Sequence, residues 1–201
     1  MVEDHPVDYL TNAKAGDGGV GTETAKSRCK LGREEILRKA YDLGFEYERT
    51  NRGCAQCVLG AIQDLFGLPD SVFKAASALS GGMCTMGEGP CGALSGAMLA
   101  IGYYYGRDRE NFPLNEKARH AGQIGRDLWR TFEDEYGSIF CKGVQTKILG
   151  RSFNLLDPND RKAFDDAGGH TDKCTSVVGN TARWLAEIML DNPPEKGFAA
   201  R

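Results

Sequence analysis

Apolar residues recur every three or four positions along most of the chain after Gly32, and no segment alternates apolar and polar residues as a half-buried strand does. This periodicity predicts an α-helical protein. The first predicted helix begins near Gly32 and has an apolar stripe made of Ile36, Ala40, Leu43, Gly44 and Tyr47. The next two predicted helices run from about Cys54 to Gly67 and from about Ser71 to Leu79.

The second half of the chain continues the helical pattern. One stretch is apolar on nearly every side and rich in small residues, which predicts a central buried helix over Ala93–Tyr105. The other predicted helices run from about Pro113 to Tyr136, from Phe140 to Leu149 and from Asp172 to Leu190. The inner stripe of the first of these three is Leu114, Ala118, Ala121, Gly125, Leu128 and Phe132. The polar segment between the last two has turn chemistry at Asp157-Pro158 and Gly168-Gly169, so we expect a loop there.

These elements predict an all-α, single-domain orthogonal helical bundle over residues 31–192. Residues 1–30 are poor in apolar side chains and are predicted to be a flexible arm, and residues 193–201 are predicted to be a tail. Five glycines and a proline lie within Ser80–Gly92, together with two cysteines. This density forbids regular structure and predicts a glycine-rich, cysteine-bearing loop before the central helix.

Charge and composition exclude several classes of function. The chain has 25 Lys and Arg residues against 28 Asp and Glu residues, so it lacks the basic excess that binds a nucleic-acid backbone. No continuous apolar window is long enough to predict a membrane span, and the first 30 residues lack the apolar core of a secretory signal. We therefore expect a cytoplasmic protein, in which thiols stay reduced.

The seven cysteines are too few for a disulfide-stapled scaffold, and their odd number prevents complete pairing within one chain. Cys54, Cys91 and Cys174 fall at predicted helix N-termini, and Cys141 falls at the start of a predicted short helix. A helix N-terminus stabilises negative charge, so it is expected to lower thiol pKa values and favour the thiolate that binds metal or attacks disulfides. The distribution therefore points to redox or metal chemistry.

The three other cysteines have different settings. Cys57 forms a C-x-x-C motif with Cys54, but no strand precedes the motif and no histidine follows it, which argues against thioredoxin-type use and c-type haem attachment. Cys84 lies in the glycine-rich loop, and Cys29 lies in the arm as an expected bystander. His170 stands four residues before Cys174, a spacing that suits metal binding, although its polar loop is more typical of a helix cap.

Four segments carry a family resemblance: GCAQCVLGAIQDLFGL at 53–68, SGGMCTMGEGPCGALSGAMLAIGYYYG at 80–106, FEDEYGSIFCKGV at 132–144, and Cys174 at the head of a helix. The chain resembles the redox-active protein family named for its C-GCAxxG-C-C cysteine pattern. The residues that match the pattern are Cys54, Cys91, Cys141, Cys174, Gly81, Gly82, Gly92 and Gly96. The resemblance implies a small helical domain related to that of split-Soret cytochromes, with an iron–sulfur cluster.

Three hypotheses follow. The leading one is an electron-transfer protein whose iron–sulfur cluster, of unspecified type, is bound by Cys54, Cys91, Cys141 and Cys174, with Cys57 and Cys84 as additional candidate ligands. Gly81, Gly82 and Gly92 would bring backbone close to that cofactor. The second is a metal-free thiol–disulfide oxidoreductase in which Cys54, Cys57 and Cys91 react. The third is a structural zinc module, which ranks lower because only one close cysteine pair is present.

The candidate partners are a redox protein or a small-molecule electron carrier. The small residues of the central helix and the Tyr103–Tyr105 patch make a homodimer a candidate assembly. Whether the protein is itself an enzyme, such as an oxidoreductase, stays open at the level of sequence.

Overall fold

The computed structural model describes residues 31–113, 115–194 and 197–198 of the chain. Over these residues the protein is a single all-α domain with eight α-helices and no β-strand, as the periodicity predicts. The helices are α1 (Arg33–Thr50), α2 (Cys54–Phe66), α3 (Asp70–Ala75), α4 (Gly92–Tyr105), α5 (Glu116–Tyr136), α6 (Cys141–Leu149), α7 (Pro158–Asp166) and α8 (Cys174–Asp191). The predicted arm at 1–30, with Cys29, lies outside the described residues.

The core lies where α1, α2, α4 and α8 pack together, with α5 against α4 and α8. Helix α4 is buried along most of its length, as its apolar composition predicts. Gly96 of α4 faces the backbone of Ala55 in α2, and a Cβ at Gly96 would overlap the Ala55 carbonyl group. The glycine therefore lets α2 and α4 approach closely, which brings the beginnings of both helices to one place.

Two helices differ from their predicted bounds. Helix α5 begins at Glu116 rather than Pro113, and Ala118 in its first turn is exposed, so only the later part of the predicted stripe packs on the core. Leu114 lies outside the described residues. Helix α3 ends at Ala75 and continues as a 3₁₀ turn over Ala76–Ala78, because a short helix tightens where its last carbonyls lack partners.

The segment predicted as a loop between α6 and α8 contains a helix instead. The side chain of Asp157 caps α7 by accepting hydrogen bonds from the backbone N–H groups of Asn159 and Asp160, at 2.8 and 2.9 Å. Pro158 occupies the first turn, where its missing N–H costs nothing. The Asp157-Pro158 pair therefore starts a helix and does not form the predicted turn.

Helix α8 begins at Cys174 rather than Asp172, and a π-helical turn over Gly169–Lys173 leads into it. Single π turns interrupt regular helices and often lie at functional sites. Among the described residues, no helix has both the length and the apolarity that crossing a membrane requires.

Candidate functional site

Four cysteine side chains line a single cavity of about 260 Å³, which we call the four-thiol cavity. Each comes from the beginning of a helix: Cys54 is the first residue of α2, Cys91 directly precedes α4, Cys141 is the first residue of α6 and Cys174 is the first residue of α8. Four segments that are distant in sequence thus bring one thiol each to the same space.

A short backbone connection holds two of these segments together. The N–H of Cys91 donates to the carbonyl of Ile139 at 2.7 Å, and the N–H of Cys141 donates to the carbonyl of Gly89 at 3.0 Å. The two hydrogen bonds form an isolated antiparallel β-bridge. The bridge therefore fixes Cys91 and Cys141 relative to each other independently of their helices.

The glycine-rich loop wraps this site in an unusual conformation. Five consecutive residues, Gly81–Thr85, have positive φ angles between 49° and 70°. The left-handed conformation costs roughly 1–2 kcal/mol for each non-glycine residue, and Met83, Cys84 and Thr85 all adopt it. Strain of this kind persists only where surrounding contacts hold it, and it concentrates at functional sites.

The three glycines predicted to lie beside a cofactor flank the cysteine side chains. The backbone N–H of Gly81 favours the thiolate form of Cys54 and acts to lower its pKa. A Cβ at Gly92 would overlap the Cys54 sulfur, and a Cβ at Gly82 would lie 2.7 Å from the Cβ of Cys141. Any larger residue at these positions would push against the walls of the four-thiol cavity.

Polar groups also favour negative charge on two other thiols of the cavity. The backbone N–H groups of Ala93 and Leu94, in the first turn of α4, act to lower the pKa of Cys91. The amide of Gln145, one turn along α6, donates to the Cys141 sulfur over 3.5 Å. Donors of this kind stabilise negative charge on sulfur and would tune any metal bound there.

Burial nevertheless raises the pKa values of all four cavity thiols, so the expectation of lowered values was wrong. Desolvation is the largest cause for each, and it raises the pKa of Cys54 to about 12. The N–H groups of Ala93 and Leu94, at the start of α4, oppose this effect at Cys91 without overcoming it. Without a cation among them, the four side chains are neutral thiols at physiological pH.

The structure does not bring the two additional cysteines into the four-thiol cavity. Cys57 is buried one turn further along α2, where it lines a separate pocket of about 350 Å³ and donates to the carbonyl of Arg52 at 3.2 Å. Cys84 is exposed on the left-handed turn. Neither side chain lines the cavity, although the Cys57 thiol lies near Glu48 and Cys54.

A family model described as "Putative redox-active protein (C_GCAxxG_C_C)" matches residues 53–188, about two thirds of the chain. The chain belongs to the C_GCAxxG_C_C family. No curated protein and no solved structure matches it significantly. The matched region contains all four cysteines of the four-thiol cavity, and the family description supports a redox role. The match begins at Gly53, so α1 lies outside it.

The C_GCAxxG_C_C cysteines share their cavity with polar residues that the sequence analysis did not select. Glu48 of α1 is 3% exposed and lines the cavity beside Arg52, Arg161 and His170. A signal for Glu48 was present, because it stands one turn after Gly44 on the apolar stripe of α1, where a charged residue is out of place. His170, interpreted as part of a cap, lies in the π turn and faces the cavity.

The spacing of these groups bears on what the cavity of this C_GCAxxG_C_C protein could hold. Among the described residues, no three His, Cys, Asp or Glu side chains converge closely enough to hold one metal ion. The thiols instead line the walls of a cavity that has room between them.

Proposed function

We propose that this protein transfers single electrons and binds an iron–sulfur cluster through Cys54, Cys91, Cys141 and Cys174. The observation that carries the proposal is that four thiols from four separate helix starts line one cavity of about 260 Å³. Four cysteine thiolates are the usual ligand set of both [2Fe–2S] and [4Fe–4S] clusters. The redox role of the family is consistent with that chemistry.

The geometry favours a cluster over a single zinc ion. Zinc draws its four ligands to one point at about 2.3 Å from each sulfur. A cluster keeps its thiolates further apart because several iron and sulfide atoms lie between them. Among the described residues no three His, Cys, Asp or Glu side chains could hold a single metal ion, and the four thiols line a cavity of about 260 Å³, which supports the second case.

The residues around the four thiols would each have a defined role in a cluster-binding site. A bound cluster would supply an acceptor and donor for single electrons. Gly81, Ala93, Leu94 and Gln145 would direct N–H groups at the ligand sulfurs and stabilise the reduced, more negative state. The glycines beside Cys54 and Cys141 would keep side chains out of the space that the cluster needs. Iron cations would remove the thiol protons, since a coordinating thiol is deprotonated.

Metal-free thiol–disulfide exchange is the alternative that shares the same residues. All six described cysteines are free thiols, and any of the four in the cavity would have to react as a thiolate. Their raised pKa values leave little thiolate at neutral pH, and Cys91 and Cys141 are buried, which limits their access for a disulfide substrate, whereas Cys54 and Cys174 are half-buried. The electrostatics of the cavity therefore favour a metal ligand set over a set of nucleophiles.

The test is anaerobic purification of the full chain, followed by iron, zinc and sulfide analysis and by absorption and electron paramagnetic resonance spectroscopy. We expect iron and sulfide with a charge-transfer spectrum. Cys54→Ser, Cys91→Ser, Cys141→Ser and Cys174→Ser should each lose at least about half of the iron, because a hydroxyl is a poor replacement for a thiolate ligand.

Cys57→Ser and Cys84→Ser are the matched controls, since both side chains lie outside the cavity, and each should retain wild-type iron content. A wild-type protein that stays colourless after reconstitution with iron and sulfide would refute the proposal. A reversible loss of two hydrogens between two cavity cysteines on mild oxidation, found by mass spectrometry, would then support the thiol–disulfide alternative.

A further inference from the structure

Glu48 is a buried carboxyl group that the cluster ligands do not explain. Its Oε2 atom makes no hydrogen bond within the described part of the chain, although the residue is only 3% exposed and lines the four-thiol cavity. A buried polar atom without a partner costs stability and is rare in folded proteins. The Cys57 thiol and Arg52 offset part of this cost, so the carboxyl group is only partly compensated inside the cavity.

A path of titratable side chains leads from Glu48 to the surface. His170 Nε2 lies 3.7 Å from Glu48 Oε1, and His170 Nδ1 lies 2.7 Å from Asp165 Oδ1. The side chain of Asp165 is 36% exposed, whereas that of His170 is 19% exposed. An imidazole can accept a proton on one nitrogen and release one from the other, so His170 can connect solvent to the buried carboxyl group.

The surroundings of Glu48 keep its proton exchangeable. The charged and titratable groups near it on the neighbouring segments are Arg52, Cys54, Cys57, Arg161, His170 and Cys174. Burial outweighs the opposing effects of Cys57 and Arg52, and raises the pKa of Glu48 to about 7. A group with a pKa near the working pH is the most effective at both accepting and donating protons.

We propose that Glu48 is the proton-exchange residue of the four-thiol cavity and takes up one proton through His170 when the site gains one electron. The inference rests on the proposed function. The electron comes from an external one-electron donor, and the proton passes from solvent to His170 and then from His170 Nε2 to the Glu48 carboxylate through one bridging water, because their 3.7 Å separation is too long for a direct hydrogen bond. The added negative and positive charges balance within the cavity, and oxidation releases both.

The first test measures the midpoint potential of the iron-loaded full chain between about pH 5 and pH 9. The wild-type potential should fall as the pH rises, because reduction is coupled to protonation only while Glu48 can bind a proton. Glu48→Gln keeps the shape of the side chain and cannot take up a proton, so it should lose this pH dependence. A Glu48→Gln protein with the wild-type dependence would overturn the proposal.

The second test separates the path from the acceptor. After rapid photoreduction with a reduced flavin, His170→Gln should slow proton uptake by about 100-fold without abolishing the equilibrium pH dependence. His120→Gln, in α5 and outside the cavity, should match the wild type in both measurements. Proton uptake at the wild-type rate in His170→Gln would rule out the path.

A third measurement needs no cluster, so it distinguishes failure of this inference from failure of the proposed function. In the metal-free full chain at about pH 6, infrared spectroscopy should show a protonated buried carboxyl band that Glu48→Gln removes. His170→Gln should slow its exchange with deuterium. If no cluster assembles but both results hold, only the proposed function fails. If the band is missing, or its exchange is unaffected by His170→Gln, the inference is wrong.

Discussion

Gly92 leaves space for the Cys54 sulfur in the four-thiol cavity because it has a hydrogen atom where other residues have a Cβ. A Cβ at this position would overlap the Cys54 sulfur and lie 3.0 Å from the carbonyl of Leu79, whereas a Cβ at Gly102 of the same helix would meet nothing within 4 Å. Gly92→Ala should lower the free energy of unfolding by about 1–3 kcal/mol, as overpacking does. Gly102→Ala should raise it by about 0.5–1 kcal/mol through helix propensity. Urea unfolding of the two variants checks this, and equal values would contradict it.

Glu48 predicts a pH dependence of stability in the metal-free protein. Its pKa is about 7 in the folded state against 4.5 when unperturbed, so between these values the folded state binds more protons than the unfolded state. The contribution of Glu48 to stability is therefore present below pH 4.5 and is lost as the pH rises to about 7, by on the order of 3 kcal/mol.

Glu48→Gln should remove that loss, which denaturant unfolding across this pH range would measure as a flatter profile than that of the wild type. A matched substitution at an exposed glutamate of the same helix, Glu34→Gln, should leave the profile as it is. Parallel profiles for wild type and Glu48→Gln would show that Glu48 is not the group responsible.

Among single residues, the sequence pointed to the cysteines that line the cavity, but it did not indicate the environment of their thiols. Cys54 and Cys91 stand out by type and by position before helices. The direction of their pKa shifts could not be predicted, because desolvation depends on how deeply the finished fold buries each sulfur. Glu48 was passed over because its partners come from segments far away in sequence, although its place on an apolar stripe was a visible signal.

Helix α7 forms part of the wall of the four-thiol cavity through Arg161 and Phe164. Asp157→Ala would remove the side-chain cap of this helix and should lower the free energy of unfolding by about 1 kcal/mol. Asp157→Asn should retain most of the stability, since asparagine caps nearly as well. Asp166→Ala, at the exposed far end of α7, should change stability by less than about 0.5 kcal/mol. Thermal unfolding of the three variants tests the order, and an unchanged Asp157→Ala would contradict it.

At the scale of elements, hydrophobic periodicity predicted the long helices well and the irregular elements poorly. Helix α2 has the predicted start and α4 begins within one residue of it, because glycine, proline and an abrupt change of polarity mark those boundaries. The left-handed turn at Gly81–Thr85 has no such marker, since Met83 and Thr85 do not prefer positive φ. Only contacts made by the completed fold select this conformation, as they do for the π turn before α8.

For the whole molecule, cluster binding should stabilise the fold, because the four ligands come from four helices that assemble only in the native state. A ligand present at about 100 times its Kd adds about 2.7 kcal/mol, which corresponds to a rise in Tm of roughly 5–10 °C for a domain of this size. Anaerobic calorimetry of the iron-loaded and metal-free protein measures the shift. Cys84→Ser should retain it and Cys141→Ser should lose it, whereas equal Tm values for loaded and metal-free wild type would contradict the proposed binding.

The convergence of four cysteines could be expected from the family pattern but not from the physics of the separate segments. Several thiols at helix starts could lie at different ends of a bundle. The close approach of α2 and α4 at Gly96 and the β-bridge next to Cys91 decide that these thiols meet, and both depend on tertiary contacts.

The order of the four helix starts along the chain also has a consequence for biosynthesis. Cys54, Cys91 and Cys141 leave the ribosome before Cys174, and α8 packs along α1 as one of the walls of the core. Until α8 has been translated, the cavity lacks the wall that α8 forms and also lacks Cys174. The three earlier thiols are therefore not fully enclosed. The set of four thiols is therefore complete only once α8 has been synthesised.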